Sequence, residues 1–485
     1  EALDEDGWDG RAPGPGPGGL VWPGRRRAVR DLHFPEDMES AEAARRRFAA
    51  EEFLRLQREL RRRRASLGES FVAQACVGDN RLVRPFLSGL GFALTPAQAR
   101  VLREIRTDMA ATLPMRRLLQ GDVGSGKTVV AACSALMAME AGHDVVVMAP
   151  TEILARQLGA LMGRWLGPLG MGVHVHAGGR FERAGGEGPR VTVGTHALLE
   201  DDVDLGRPAL LVMDEQHKFG VGQRERMLRR AGHPHLLVMT ATPIPRTLGL
   251  TLYGDLDVSV LDGLPAGRQP VRTHVRDATA LPKVWEFVRG ELSAGRQAYV
   301  VCPRVEDSGT DEVRSVLREL EGVQAAVAPF RCVLAHGRMA SEERDAAMEA
   351  FRSGAAPLLV ATQVIEVGVD VPAASVMVIL SAERFGLAQL HQLRGRVGRG
   401  GAASHCILVA EAMTDAARAR LAVMGRTHDG FEIAEEDFRM RGPGELLGQA
   451  QSGLPSFRFG DLATDVELMC WARDEARREG LVARG

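Results

Sequence analysis

Short, almost unbroken apolar runs recur along most of this chain, and each breaks off into a polar, Gly or Pro segment. Val145–Met148, Val191–Val193, Leu210–Met213 and Leu236–Met239 form one series. Ala298–Cys302, Cys332–Leu334, Leu358–Val360, Val376–Ile379 and Cys406–Val409 form a second. Runs this short and continuous suit parallel strands covered on both faces, where no alternation with polar residues is needed. Ligands of such sheets bind at the carboxyl ends of the strands, so the polar segments should converge on one edge. The 485 residues leave room for two or three domains. We therefore expect an α/β chain with two similar parallel-sheet domains, at about 90–265 and about 266–412. Residues 1–24 hold Gly14-Pro15-Gly16-Pro17-Gly18-Gly19 and read as a linker or domain remnant. Residues 25–89 read as a helical segment and 413–485 as a helical tail interrupted at Arg441-Gly442-Pro443-Gly444.

One loop carries most of the chemistry. Gly121-Asp122-Val123-Gly124-Ser125-Gly126-Lys127-Thr128 matches G-x-x-x-x-G-K-[ST], the loop that cradles nucleotide phosphates. Lys127 is one of three lysines beside 58 arginines, so composition does not explain it. The chemistry wants a compact ammonium between the β- and γ-phosphates, which arginine's planar fork does not replace. Glycines let backbone N–H groups approach the phosphates, the helix that follows adds the positive end of its dipole, and Thr128 offers a hydroxyl to Mg²⁺. Arg117-Leu118-Leu119 enters the loop and Val129–Met139 leaves it as a buried helix.

Bulk properties narrow the field. There is no run of 18 apolar residues and no signal peptide, which argues against a membrane span. Six scattered cysteines without C-x-x-C fit a reducing cytosol better than zinc or a disulfide framework. The formal net charge is −2, so nucleic-acid binding must come from local placement of arginines. Two tyrosines and 5% aromatics leave little for a base-stacking platform. Glu1 in place of Met points to a fragment or a processed chain. The stretch 36–65 reads as a long helix with Arg45-Arg46-Arg47 and Arg61–Arg64, and Phe48, Leu56 and Leu60 on a partial stripe. It is either packed on the next domain or in contact with DNA.

Other motifs fall where strands end. Asp214-Glu215-Gln216-His217 follows an apolar run: Asp214 can hold Mg²⁺ and Glu215 can activate a water. Thr240-Ala241-Thr242-Pro243 ends the next run; its hydroxyls either relay to His217 or form a Ser/Thr turn. In Gln392-Leu393-Arg394-Gly395-Arg396-Val397-Gly398-Arg399, Arg396 and Arg399 share a face and could neutralise a transferring γ-phosphoryl group, worth about 10³–10⁵ in rate. Upstream, the Gln98 amide suits the N6/N7 edge of adenine and Phe92 could stack on the base, while Thr95 reads as a helix N-cap.

Taken in order, GDVGSGKT, APTEILA (149–155), GTHALL (194–199), DEQHKFGV (214–221), TATPIPRTL (240–248), HGRM (336–339), ATQVIEVGVDVP (361–372) and AERFGLAQLHQLRGRVGRG (382–400) resemble superfamily 2 DNA helicases, and within them the RecG family. Transcription-repair coupling factor is the nearest rival, but Ser125, Gln216 and Ile365-Glu366-Val367-Gly368-Val369-Asp370 side with RecG. Lys218 and Gln363 depart from the usual arginine and threonine. The resemblance covers about residues 29–475 and implies two tandem RecA-like domains closing on one ATP·Mg²⁺. It implies a bacterial, cytosolic, nucleoid-associated monomer acting on forks, Holliday junctions, D-loops and R-loops, with single-stranded-DNA-binding protein as a further partner. Asp370 would meet the ribose or couple DNA to ATP. Thr195, His196, Thr240 and Thr242 would couple to DNA. The tail, with Arg439, Arg441, Gln449 and Gln451 around a Gly-Pro-Gly loop, resembles a translocation motif. The family's wedge domain has no counterpart before Leu32-His33-Phe34-Pro35, so weak junction selectivity is expected. A nucleotide-dependent DNA clamp and an RNA helicase are the readings of other classes.

Overall fold

The computed structural model describes residues 15–482 except 187, 201, 216–218, 220, 241–255, 264–269, 304–308, 338, 363–370, 399, 401, 452–456 and 463; side chains at 63–70, 221, 309–317, 341, 441–451 and 480–482 lie outside the description as well. Two sheets organise it. The first joins β1 (Arg116–Gly121), β2 (Asp144–Met148), β3 (Gly172–Ala177), β4 (Arg180–Ala184), β5 (Arg190–Gly194), β6 (Pro208–Met213), β7 (His235–Thr240) and β8 (Asp257–Leu261). Their order is β4-β3-β5-β2-β6-β7-β1-β8. Every pairing is parallel except β3 with β4. The second joins β9 (Arg272–Asp277), β10 (Gln297–Val301), β11 (Cys332–Ala335), β12 (Leu358–Ala361), β13 (Ala374–Ile379) and β14 (His405–Ala410) in the order β11-β12-β10-β13-β14-β9, all parallel.

The continuous apolar runs are explained by burial on both faces. In β2, Val145 and Val147 face one core cluster while Val146 and Met148 face another. In β10, Tyr299 and Val301 face one side, Ala298 and Val300 the other. Each Val or Met side chain among them contributes about 1.5–3 kcal/mol on burial. Two of the strands absent from the apolar series, β4 and β9, lie at sheet edges: β4 is exposed throughout and β9 is half-exposed, so neither needed an apolar run. Because β2, β5, β6, β7 and β1 run parallel, the segments that follow them do leave from one sheet edge.

Helices from the first and last parts of the described chain meet. The helix Met38–Ser70 packs on the helix Val466–Val482. Ala49, Ala50, Phe53, Leu54 and Leu56 join Phe438, Leu468, Met469 and Trp471 in a single apolar cluster. Arg45 binds both Asp465 oxygens at 2.7 and 2.8 Å, Arg58 both Glu479 oxygens at 2.5 and 2.8 Å, and Glu52 accepts three backbone N–H groups from Arg458, Phe459 and Gly460. Of the two readings of the arginine-rich helix, packing is the one these residues show. The partner is the tail, about 400 residues away in sequence, rather than the next domain. The tail reaches the first lobe too, through Arg477 and Asp257 at 3.3 Å.

One expectation fails here. Gly442-Pro443-Gly444 does not open a loop: the helix Gly430–Gln451 runs through it. Proline removes a single N–H donor, and a helix already nucleated upstream propagates residue by residue. Ile433, Ala434 and Phe438 bury the first half of this helix and anchor it.

Candidate nucleotide site

β1 is buried along its whole length and delivers the chain to the phosphate loop at the carboxyl edge of its sheet. The loop turns on glycine: Gly124 and Gly126 have φ of 77° and 85°, a region that side chains with Cβ avoid. Gly126 caps the helix Lys127–Glu140 with no side-chain hydrogen bond, and a Cβ there would collide with the Gln98 amide. That helix end therefore presents N–H groups and the positive end of its dipole to the loop. Lys127 is 9% exposed and its Nζ donates to the carbonyls of Gly121 and Asp122 at 2.8 and 2.9 Å. The Ser125 hydroxyl is buried with no hydrogen-bond partner among the described residues. Uncapped N–H groups, a lysine and an unsatisfied hydroxyl form a donor set that fits phosphate oxygens.

Gln98 sits beside this loop. Its carbonyl accepts from Thr95 N–H at 2.9 Å and its amide donates to the Ser125 carbonyl at 2.9 Å. Thr95 returns the bond as a capping box, so the N-cap reading of Thr95 and the loop-side placement of Gln98 combine in one motif. Phe92 is 52% exposed.

The acidic pair follows β6. Asp214 is tied by its N–H to the Met148 carbonyl at 2.9 Å, and Glu215 takes a left-handed φ of 51° with its N–H on Asp214 Oδ1 at 3.1 Å. A non-glycine residue held there is strained, as at many functional turns. Burial and then the neighbouring Glu215 push the Asp214 carboxyl up to about 7, while Lys127 and Arg396 pull it down. Two carboxylates forced together concentrate negative charge that a divalent cation would relieve. With Thr128, which opens the helix after Lys127, that donor set suits Mg²⁺.

Arg396 belongs to the second lobe, and its charge is one of those that lower the Asp214 pKa. The lobes also touch directly. The helix Leu387–Arg394 places His391 Nε2 2.5 Å from Asp122 Oδ1. Gly395 packs so closely on Val123 that a Cβ would lie 2.8 Å from it. Burial works to raise the Asp122 pKa, but the hydrogen bonds from His391 and the Val123 N–H, with the nearby Lys127 charge, hold it below the usual range. The sequence reading assigns no role to His391 or Arg394. Their i,i+3 spacing on one helix face is the available signal.

The remaining residues divide. Thr195 is buried and its hydroxyl accepts from Ala197 N–H, capping a short 3₁₀ turn, with His196 exposed beside it. Thr240 is buried at the end of β7. Gln216, His217, Thr242, Asp370 and Arg399 lie outside the described residues. Arg441 and Gln451 lie on the helix Gly430–Gln451, not on a loop, and their side chains are outside the description.

Two parallel-sheet lobes, one with a phosphate loop and acidic pair, the other meeting that loop through His391 and Gly395, define a helicase-type P-loop core. Residues 95–250 match the DEAD/DEAH box helicase model, 280–401 the helicase conserved C-terminal domain, and 427–482 the model for ATP-dependent DNA helicase RecG, domain 3, C-terminal. The chain is 47% identical to the ATP-dependent DNA helicase RecG of Acidithiobacillus ferridurans, over 94% of this chain and 68% of that protein. With its Escherichia coli K12 counterpart it shares 45% over 91% of the chain and 67% of that protein. A solved RecG bound to a three-way DNA junction matches with a TM-score of 0.69 and 39% identity, over 92% of this chain and 59% of that one. The DUF1998 helicase MrfA bound to DNA and AMPPNP, at 17% identity and TM-score 0.54, shares the fold alone. The chain belongs to the RecG family. It spans 55% of the length of the Synechocystis relative, with which it is 45% identical.

Proposed function

We propose that this chain is the motor of an ATP-dependent DNA translocase that remodels branched DNA, by fork reversal and branch migration of Holliday junctions, and that D-loops and R-loops are also substrates. The observation that carries the reading is a phosphate loop with Lys127 at its helix start, met by the second lobe through His391 on Asp122 and through Gly395, the neighbour of Arg396, on Val123. In this reading Gly121 to Thr128 bind the phosphates and Lys127 neutralises them. Thr128 and Asp214 hold Mg²⁺, which when bound supplies charge neutralisation for the transferring phosphoryl group. Glu215 orients and deprotonates the attacking water. Arg396, with Arg399 beside it in sequence, faces the phosphoryl group from the second lobe. DNA contacts fall mainly on phosphates, so binding is salt-dependent and weakly sequence-specific. The relative solved on a three-way DNA junction supports the choice of branched DNA. The match of 427–482 to the RecG-specific model supports RecG over a coupling factor.

The test is steady-state ATPase of the purified chain with Mg²⁺, alone and with duplex and branched DNA, beside a branch-migration assay. DNA-stimulated hydrolysis lost in Lys127→Ala is expected. Hydrolysis indifferent to DNA, or equal in the variant, would sink the reading.

A further inference from the structure

We propose that His391 is a positioning residue that latches the phosphate loop to the second lobe, so that a change in the loop on nucleotide binding is transmitted to that lobe. The inference rests on the ATP-driven reading above and adds to it a route between the lobes.

His391 is 4% exposed and lies between two charged groups of different lobes. Its Nε2 is 2.5 Å from Asp122 Oδ1, and its Nδ1 is 2.9 Å from Arg394 Nη2. A guanidinium only donates, so Nδ1 must accept and the proton sits on Nε2, aimed at the carboxylate. Arg394 is itself fixed: it is 3% exposed, and its Nη1 donates to the carbonyls of Met424 and Thr427 at 2.8 and 3.0 Å. The polar chain therefore has one anchored end, at the entrance to the tail, and one end on the phosphate loop.

The loop end is the part nucleotide must disturb. The Asp122 carbonyl holds Lys127 Nζ at 2.9 Å, and the Gly121 carbonyl holds it at 2.8 Å. Phosphate oxygens compete for the same ammonium. When they win, both carbonyls lose the ammonium, the Asp122 carbonyl keeps only the Ser125 N–H at 3.1 Å, and the backbone at Asp122 can re-set. The same residue's carboxylate is held by His391, so the second lobe feels the shift through one short hydrogen bond. Gly395 on Val123 makes the seam tight enough to transmit it, since there is no room for a methyl group between them.

The experiment is DNA affinity with and without the non-hydrolysable analogue Mg·AMPPNP, on the whole chain, with nucleotide Kd and melting temperature measured in parallel. In the unaltered protein the analogue should change DNA Kd by about 5- to 150-fold, the usual range of coupling between sites. His391→Ala should bring that ratio close to one with nucleotide Kd near that of the parent; the melting temperature falls, because buried Asp122 and Arg394 lose a partner. His391→Gln carries one donor and one acceptor and should restore much of the ratio. Gly395→Ala, which wedges the seam, should lower the ratio as His391→Ala does. A parent ratio retained in His391→Ala overturns the latch, as does a lost ratio that His391→Gln fails to restore while it restores the melting temperature. If the parent binds the analogue but its DNA affinity does not move, the latch alone falls. If the parent binds no analogue, the ATP-driven reading falls and takes the latch with it.

Discussion

The two lobes share a parallel sheet covered on both faces, yet they are built to hold a ligand in different ways. The first works through backbone: left-handed glycines, an uncapped helix start and a strained Glu215 shape a surface of N–H groups around one lysine. The second works through side chains: Arg394 and His391 are buried and fixed by hydrogen bonds, and Arg396 follows them at the seam. A backbone cradle binds the ground state and the transition state alike. A side chain brought in from another lobe acts only when the lobes are in register, which suits it to rate rather than affinity.

That contrast can be broken most severely at Arg396. Arg396→Ala should lower kcat by about 10³-fold or more while nucleotide Kd changes little, because its charge is needed where the phosphoryl group carries most. Pre-steady-state turnover with a nucleotide-binding titration separates the two; equal losses would make Arg396 part of the cradle. Next in size, Glu215→Gln should keep nucleotide binding and cut DNA-stimulated turnover by about 10²–10⁴-fold, the usual worth of a positioned base. Near-full steady-state ATPase in this variant would reject the water-activating role.

Stability effects are smaller. Gly126→Ala forces an L side chain into a left-handed turn, at a cost of about 1–2 kcal/mol, and drives its methyl into the Gln98 amide. A fall in melting temperature with weakened nucleotide binding is expected, and an unchanged protein would mean the loop can re-form without the glycine.

The smallest effect lies outside both lobes, in the pair of helices Met38–Ser70 and Val466–Val482. Arg45→Ala should cost about 1–2 kcal/mol at neutral pH, a figure moderated by the partial exposure of Arg45. Burial works to raise the Asp465 pKa, but the Arg45 hydrogen bond, the Asp461 amide and the Arg45 charge together hold it below its ordinary value. Because the native pKa is the lower one, the contribution is complete above the ordinary carboxylate range. It is lost as pH falls through the depressed native value. Denaturant titrations of parent and variant should therefore converge in acid; a gap that stays constant with pH would mean Arg45 acts by packing alone.

Much of this architecture is legible in the order of residues. Continuous runs such as Val145–Met148 and Val376–Ile379 announce strands buried on both faces, because period and burial are properties of a few adjacent residues. The phosphate loop is equally local: its glycines and Lys127 are neighbours in sequence and meet the same ligand. Strands with polar or exposed faces are not legible. β3 and β4 carry His174, His176 and Arg183 on half-exposed or exposed faces, so no apolar signal marks them. Reading Gly442-Pro443-Gly444 as a loop is wrong for a related reason: local breakers lose to a helix anchored by buried residues upstream.

By itself, then, the order of residues determined two parallel sheets, the edge at which their motifs emerge, and the residue types gathered around the phosphate loop. Only the tertiary structure decided who meets whom across distance. It set Arg45 on Asp465 and His391 on Asp122, pairs separated by 420 and 269 positions. It also packed Gly395, the neighbour of Arg396, on Val123 of the phosphate loop. The physical reason is that periodicity and turn chemistry act over one or two turns of chain, whereas these contacts form only after whole lobes have packed. Sheet order and lobe packing then choose, among 58 arginines, the few that are buried beside a carboxylate.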